Sequence, residues 1–221
     1  MTDTLTVTGM VIKTASYAEY DRRITVLTVD RGKITVFVRG AKRPGSRFLA
    51  STEPFAFGRF LLREGRSAYN LQDVKVDNFF EKLREDLYSF YLGSYFLEIA
   101  DYYSRENNDD EALLILLYRS LQALTSGKFP GKLVKAVFEV RSIVVNGEFP
   151  GLSEQERAAA RPGTIHAFEH VTLAPIEKLY SFTLSDEVLE EFSAYAERFA
   201  LRCIGGRFKS LAVMEELGFY K

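Results

Sequence analysis

Three stretches of this sequence carry residue types that could do chemistry. His166-Ala167-Phe168-Glu169-His170 fits the H-x-x-E-H spacing of inverted zinc peptidases. There two imidazoles on one helical face hold the metal and the carboxylate acts as base. The flanks oppose that reading. Arg161-Pro162-Gly163-Thr164 precedes the motif, and Val171-Thr172-Leu173-Ala174-Pro175 follows it, which reads as β-prone and then broken. No third ligand is assigned, so two surface or packing histidines are the expectation. Cys203, the single cysteine, falls late in an amphipathic helix and has no adjacent histidine to activate it. No Gly-x-Gly-x-x-Gly or Walker A pattern supports nucleotide chemistry.

The third stretch is basic. Between Arg22 and Arg47 stand eight cations (Arg22, Arg23, Arg31, Lys33, Arg39, Lys42, Arg43 and Arg47) against one acid, Asp30. The densest piece, Arg39-Gly40-Ala41-Lys42-Arg43-Pro44-Gly45-Ser46-Arg47, is loop-like by its glycines and proline. Guanidinium forks match phosphate oxygens in pairs. Tyr17, Tyr20, Phe37 and Phe48 lie nearby and are able to stack on bases. The competing reading is a solvated loop that blunts a sheet edge, and the one-sidedness of the charge argues against it. Residues 1–75 hold 13 Lys and Arg against 7 Asp and Glu, while residues 76–221 hold 16 against 23, so a net charge of −1 divides into +6 and −7. Positive charge gathered on one part of a chain points to a polyanion.

The elements that must position these groups change character near residue 78. Before it, Leu5–Lys13, Arg23–Val29, Ile34–Val38, Glu53–Leu62 and Ala68–Val76 read as five strands, the second and third joined around Asp30-Arg31-Gly32-Lys33. With no long helix among them, a small closed barrel of the OB type hides the sheet edges. Beyond it, Leu83, Leu87, Phe90, Tyr91, Ser94 and Leu97 recur at helical spacing. A second helix opens at Asp109-Asp110-Glu111, and a third spans Lys132–Val145. Residues 148–175 read as irregular, with three prolines. Ser185 is expected to cap a helix over Asp186–Cys203, and a last helix spans Phe208–Leu217. The expectation is an α+β chain: a five-stranded OB-type barrel, 1–78, that binds nucleic acid, then an all-α domain, 79–221.

Ordinary hydrophobic and charged content, 47% and 27%, places the chain among globular proteins with a sizeable core. The N-terminus lacks a basic start and an apolar h-region, and the longest apolar run, Ala112–Tyr118, is too short for a membrane span. A bacterial cytoplasmic, nucleoid-associated location with no membrane partner is expected.

The residues resemble a known family, the bacterial DNA repair protein RecO. The resemblance runs through Val11-Ile12-Lys13-Thr14, Tyr17-Ala18-Glu19-Tyr20-Asp21-Arg22 and Thr28-Val29-Asp30-Arg31-Gly32-Lys33. It is most specific at Val38-Arg39-Gly40-Ala41-Lys42-Arg43-Pro44, followed by Ser46-Arg47 and Glu53-Pro54-Phe55. Leu83-Arg84-Glu85-Asp86-Leu87, Tyr95-Phe96-Leu97-Glu98, Phe138-Glu139-Val140-Arg141 and Gly206-Arg207-Phe208-Lys209-Ser210-Leu211 continue it. The resemblance implies an OB-fold followed by a helical domain in a non-catalytic recombination mediator. Such a protein binds single- and double-stranded DNA and anneals complementary strands. With RecR it helps load the RecA recombinase onto strands coated by single-strand binding protein. Many members carry a four-cysteine zinc module. The corresponding region here, about residues 146–175, is a cysteine-free, degenerate version, so neither a zinc site nor any cofactor is expected.

The phosphate-contacting set is Arg22, Arg23, Arg39, Lys42, Arg43 and Arg47, extended by Arg207 and Lys209. If about six phosphates are neutralised, log affinity falls with log salt at a slope near about −4. Lys128, Lys132 and Lys135, beside Phe129, Leu133 and Phe138, form a second candidate surface, for the acidic tail of single-strand binding protein. The same spacing also suits an ordinary amphipathic helix. Two other readings stand beside the mediator: a general OB-fold module for single-stranded DNA or RNA, and a zinc metallopeptidase built on His166, Glu169 and His170.

Overall fold

The computed structural model describes residues 4–66, 68–206 and 208–219. Five strands, β1 (Thr4–Ser16), β2 (Arg22–Thr28), β3 (Lys33–Val38), β4 (Phe57–Glu64) and β5 (Tyr69–Asn78), close into a barrel in the order β1-β2-β3-β5-β4. All pairings are antiparallel except β3 with β5, where Val36 faces Tyr69 and Phe37 faces Asn70. Closure depends on β1, which is 13 residues long and pairs with β4 through its first half and β2 through its second. A register shift between Val11 and Lys13 bends it from one neighbour to the other. Strict alternation in β3 sends Ile34, Val36 and Val38 inward, where they meet Val7, Val11, Ile24, Val26, Phe60 and Leu62. This is the expected OB-type barrel followed by helices.

The other elements are α1 (Phe48–Ser51), α2 (Leu87–Tyr103), α3 (Glu111–Ser126), α4 (Gly131–Val145), α5 (Glu154–Ala159), α6 (Pro162–Leu173), α7 (Asp186–Cys203) and α8 (Lys209–Glu216), with 3₁₀ turns at Glu81–Arg84 and Ile176–Lys178. Two compact units result. The first holds the barrel and residues 100–114; the second holds 82–99 and the chain from 115 onward.

In the first unit, Asp101 accepts from both Lys13 (2.6 Å) and Lys33 (3.2 Å). The Lys33 amide donates to the Arg105 carbonyl, and the Asn107 amide to that of Arg31. Burial works to raise the Asp101 carboxyl, but the two ammonium groups outweigh it and hold its pKa below the usual value. In the second unit α4 is the central helix, buried at every position from Leu133 to Val140. Phe96 stacks on Phe138 at 4.2 Å, and Phe168 packs edge-on against Phe192 and Phe199.

Several expectations are corrected. Residues 148–175 are largely helical. Ser153 and Glu156 form a reciprocal capping box that starts α5, and Pro162 sits in the first turn of α6, where its missing N–H is harmless. The prolines begin helices there instead of breaking them. The fourth strand starts at Phe57, not Glu53, because the preceding segment forms α1 and a turn with Phe55 at φ 76°. Ser185 is at the N-cap position of α7, yet its side chain makes no capping hydrogen bond. Asp86 does that service for α2, accepting from the Ser89 amide at 2.8 Å.

Candidate nucleic-acid interface

The basic loop grows out of the barrel at the end of β3. Ala41 is completely buried in the barrel core, so the loop is anchored at its centre. Its neighbours Arg39 and Arg43 are exposed and Lys42 half-exposed. Gly40, at φ 66°, makes the turn, and its amide donates to Asp21 Oδ1 at 2.8 Å. The Lys42 amide donates to the Tyr20 carbonyl at 2.9 Å, and the Tyr17 amide to the Asp21 carbonyl. These bonds tie the β1–β2 turn, residues 17–21, to the β3–α1 loop. Asp21 is thus the acid that organises the cationic loop, a role not apparent from its position in the sequence.

Aromatic rings join the cations on this rim. Tyr17, 62% exposed, lies 4.6 Å from Phe37, centroid to centroid. Arg23, exposed on β2, stands opposite Phe37 on one side and Ala15 on the other. The Arg43 guanidinium lies 5.8 Å from the ring of half-exposed Tyr20. This face of strands β2 and β3, with the β1–β2 turn, is where OB-folds take oligonucleotides.

The six expected barrel cations separate into three groups. Arg23, Arg39, Lys42 and Arg43 have no carboxylate partner among the described residues. Lys42 Nζ donates to Ser16 Oγ, at 3.3 Å. Arg22 is engaged internally: it donates to the Leu49 carbonyl and Thr52 Oγ1, both at 2.9 Å, and pairs with Glu53 at 2.7 Å. Its side chain is only 14% exposed and fixes α1 to the barrel. Arg47 is intermediate, well exposed but paired with Asp73 at 3.2 Å and lying over Phe48.

Arg207 lies outside the described residues. Lys209, exposed, begins α8 in the second compact unit. Of the second candidate surface, Lys128 is exposed and has no carboxylate partner among the described residues. Lys132 pairs with Glu190 at 2.5 Å, and Lys135 is buried between Glu139 (2.9 Å) and Glu197 (3.5 Å). Acids on α7 and on α4 itself therefore neutralise two of the three lysines.

The histidine motif is on a helix after all. His166 is exposed; Glu169 pairs with Arg157 at 3.3 Å, and His170 Nε2 lies 3.1 Å from the Lys178 carbonyl. No group of three or more His, Cys, Asp or Glu side chains converges among the described residues in a way that could hold a metal ion. Nor is any helix among them long and apolar enough to cross a membrane.

Two family descriptions match consecutive parts of the chain: Recombination protein O N terminal over residues 1–80, and Recombination protein O C terminal over residues 84–161. The chain belongs to the RecO family. The DNA repair protein RecO of Bacillus subtilis is 30% identical over 158 residues, 72% of this chain and 62% of the relative. That of Exiguobacterium sibiricum is 34% identical over 145 residues, 66% of this chain and 58% of the relative. With RecO of Acetivibrio thermocellus the similarity extends over 88% of this chain and 90% of the relative, at 26% identity. The matched part thus spans about three fifths of the Bacillus and Exiguobacterium relatives and nine tenths of the Acetivibrio one. The barrel, including the whole of the cationic rim, falls within the first RecO match.

Proposed function

We propose that this chain is a DNA repair and recombination mediator whose barrel, residues 1–78, is its DNA-binding domain. One observation carries the reading: four cations without carboxylate partners among the described residues, Arg23, Arg39, Lys42 and Arg43, share a rim with exposed Tyr17 and the half-buried Phe37 it touches. The cations hold phosphates, and the rings stack on bases that are not already stacked in a duplex. A protein that binds this way holds single strands with their pairing edges free, which is what annealing needs. The relatives' name, DNA repair protein RecO, supports the same assignment.

In this role the chain works by binding and not by catalysis, in the bacterial cytoplasm at the nucleoid. It binds single- and double-stranded DNA, anneals complementary strands, and with RecR helps load RecA onto strands coated by single-strand binding protein. The segment 146–175, with α5 and α6, holds together by capping and packing and requires no zinc.

Strand annealing tests the proposal. The wild-type chain is expected to speed annealing of complementary DNA strands, and Arg39→Ala/Lys42→Ala/Arg43→Ala to lose that acceleration while keeping its melting temperature. Equal binding of RNA and DNA without annealing would replace the mediator by a general single-strand-binding module.

A further inference from the structure

The second compact unit holds a cleft of about 510 Å³ that the DNA-binding reading leaves unused. Tyr95, Leu201, Phe208 and Leu211 give it apolar walls, and Glu139, Glu197 and Glu215 are its charged lining among the described residues. Leu201 is 72% exposed, a large apolar side chain on the solvent side of α7 beside Glu197. Glu139 and Glu197 also line a smaller cavity of about 180 Å³, together with Lys132, Lys135, Glu190 and Ser193.

Glu139 decides what the cleft suits. It is 1% exposed. Its Oε1 accepts from Tyr95 Oη at 2.7 Å and from Lys135 Nζ at 2.9 Å. Its Oε2 is buried with no hydrogen-bond partner, and Ser193 Oγ is in the same condition. A buried carboxylate oxygen left unbonded is costly, and such groups in a cleft mark a place where a donor is missing. Among the described residues, Lys135 is the cation that pairs with this cluster, and Glu139 and Glu197 already share it, while Lys132 is taken by Glu190. Among the described lining residues the remaining charge is negative, and the walls are apolar.

We propose that this cleft docks a basic, apolar segment of a protein partner, with an arginine side chain reaching the Glu139 carboxylate and its apolar neighbours lying on Leu201, Phe208 and Leu211. Charge complementarity selects the occupant. A guanidinium supplies the missing donors in a planar fork, whereas an acidic tail is repelled by Glu197 and Glu215. The volume suits a few side chains and not a folded surface. The inference stands independently of DNA binding by the barrel.

The test uses the full chain and a fluorescein-labelled hexapeptide alternating leucine and arginine, followed by anisotropy. The same peptide with citrulline in place of arginine keeps shape and removes charge. The arginine peptide is expected to bind saturably, and the citrulline peptide about tenfold or more weaker. Glu139→Gln is expected to bring the arginine peptide down to the citrulline level. Since a buried substitution can disturb folding, Glu197→Gln/Glu215→Gln, both at exposed positions, is the second variant and should weaken binding severalfold. Absence of binding, equal binding of the two peptides, or full binding by a folded Glu197→Gln/Glu215→Gln variant would overturn the proposal.

Discussion

Replacing Arg39, Lys42 and Arg43 by alanine removes three of the four rim cations that have no carboxylate partner among the described residues, leaving Arg23. Each phosphate neutralised on a single strand contributes about −0.7 to the slope of log affinity against log salt. Six cations counted from the sequence would give about −4, but the structure withdraws Arg22, held by Glu53, Thr52 and Leu49, and engages Arg47 with Asp73. Four free cations give a wild-type slope of about −3, and the triple variant should fall to about −1. Anisotropy of a labelled oligothymidine titrated at several salt concentrations measures both. Arg22→Ala is the internal control. It should leave the slope unchanged and lower stability by about 1–3 kcal/mol, since it removes two hydrogen bonds and leaves Glu53 alone. A triple variant with the wild-type slope, or an Arg22 variant that flattens it as much, would refute the division of the cations.

Two further outcomes concern stability. Lys135→Met leaves the buried Glu139 without its counter-ion and should cost about 3–5 kcal/mol in urea unfolding at neutral pH. Burial already pushes the Glu139 carboxyl above its usual pKa, so its protonated form favours folding, and the variant should be most stable in mild acid and weaken as pH rises. Asp101→Asn tests the opposite sign. The folded pKa of Asp101 is depressed by Lys13 and Lys33 against the pull of burial, so its contribution is present above about pH 4 and lost as pH falls through the depressed value. The variant should melt lower than wild type at pH 7 and approach it at pH 3; an equal deficit at both would contradict the assignment.

Much of the architecture could be read from local pattern. Strands β2 and β3 and helices α4 and α7 fall almost where alternation and helical spacing put them, because each buries one face against its own unit. What failed was punctuation. Pro162 and the residues around Ser153 looked like breakers of structure and are helix starts. What local pattern could not supply was pairing at a distance. Arg22 and Glu53 are 31 positions apart, Lys132 and Glu190 are 58 apart, and Lys13 and Asp101 are 88 apart; nothing in the neighbourhood of any of them announces the other. The charge count therefore singled out a loop that does carry exposed cations but overcounted those available. For the same reason it offered Lys132 and Lys135 as an exposed basic row when α7 neutralises both.

The central claim is that DNA lies on the rim formed by residues 17–23 and 37–43. Photo-crosslinking a bromodeoxyuridine-substituted single strand to the full chain, with the adducts located by peptide mass spectrometry, tests it most directly. Adducts should concentrate on Tyr17, Tyr20 and Phe37 and vanish at high salt. Adducts confined to residues 82–221, with the rim unmodified, would contradict the account.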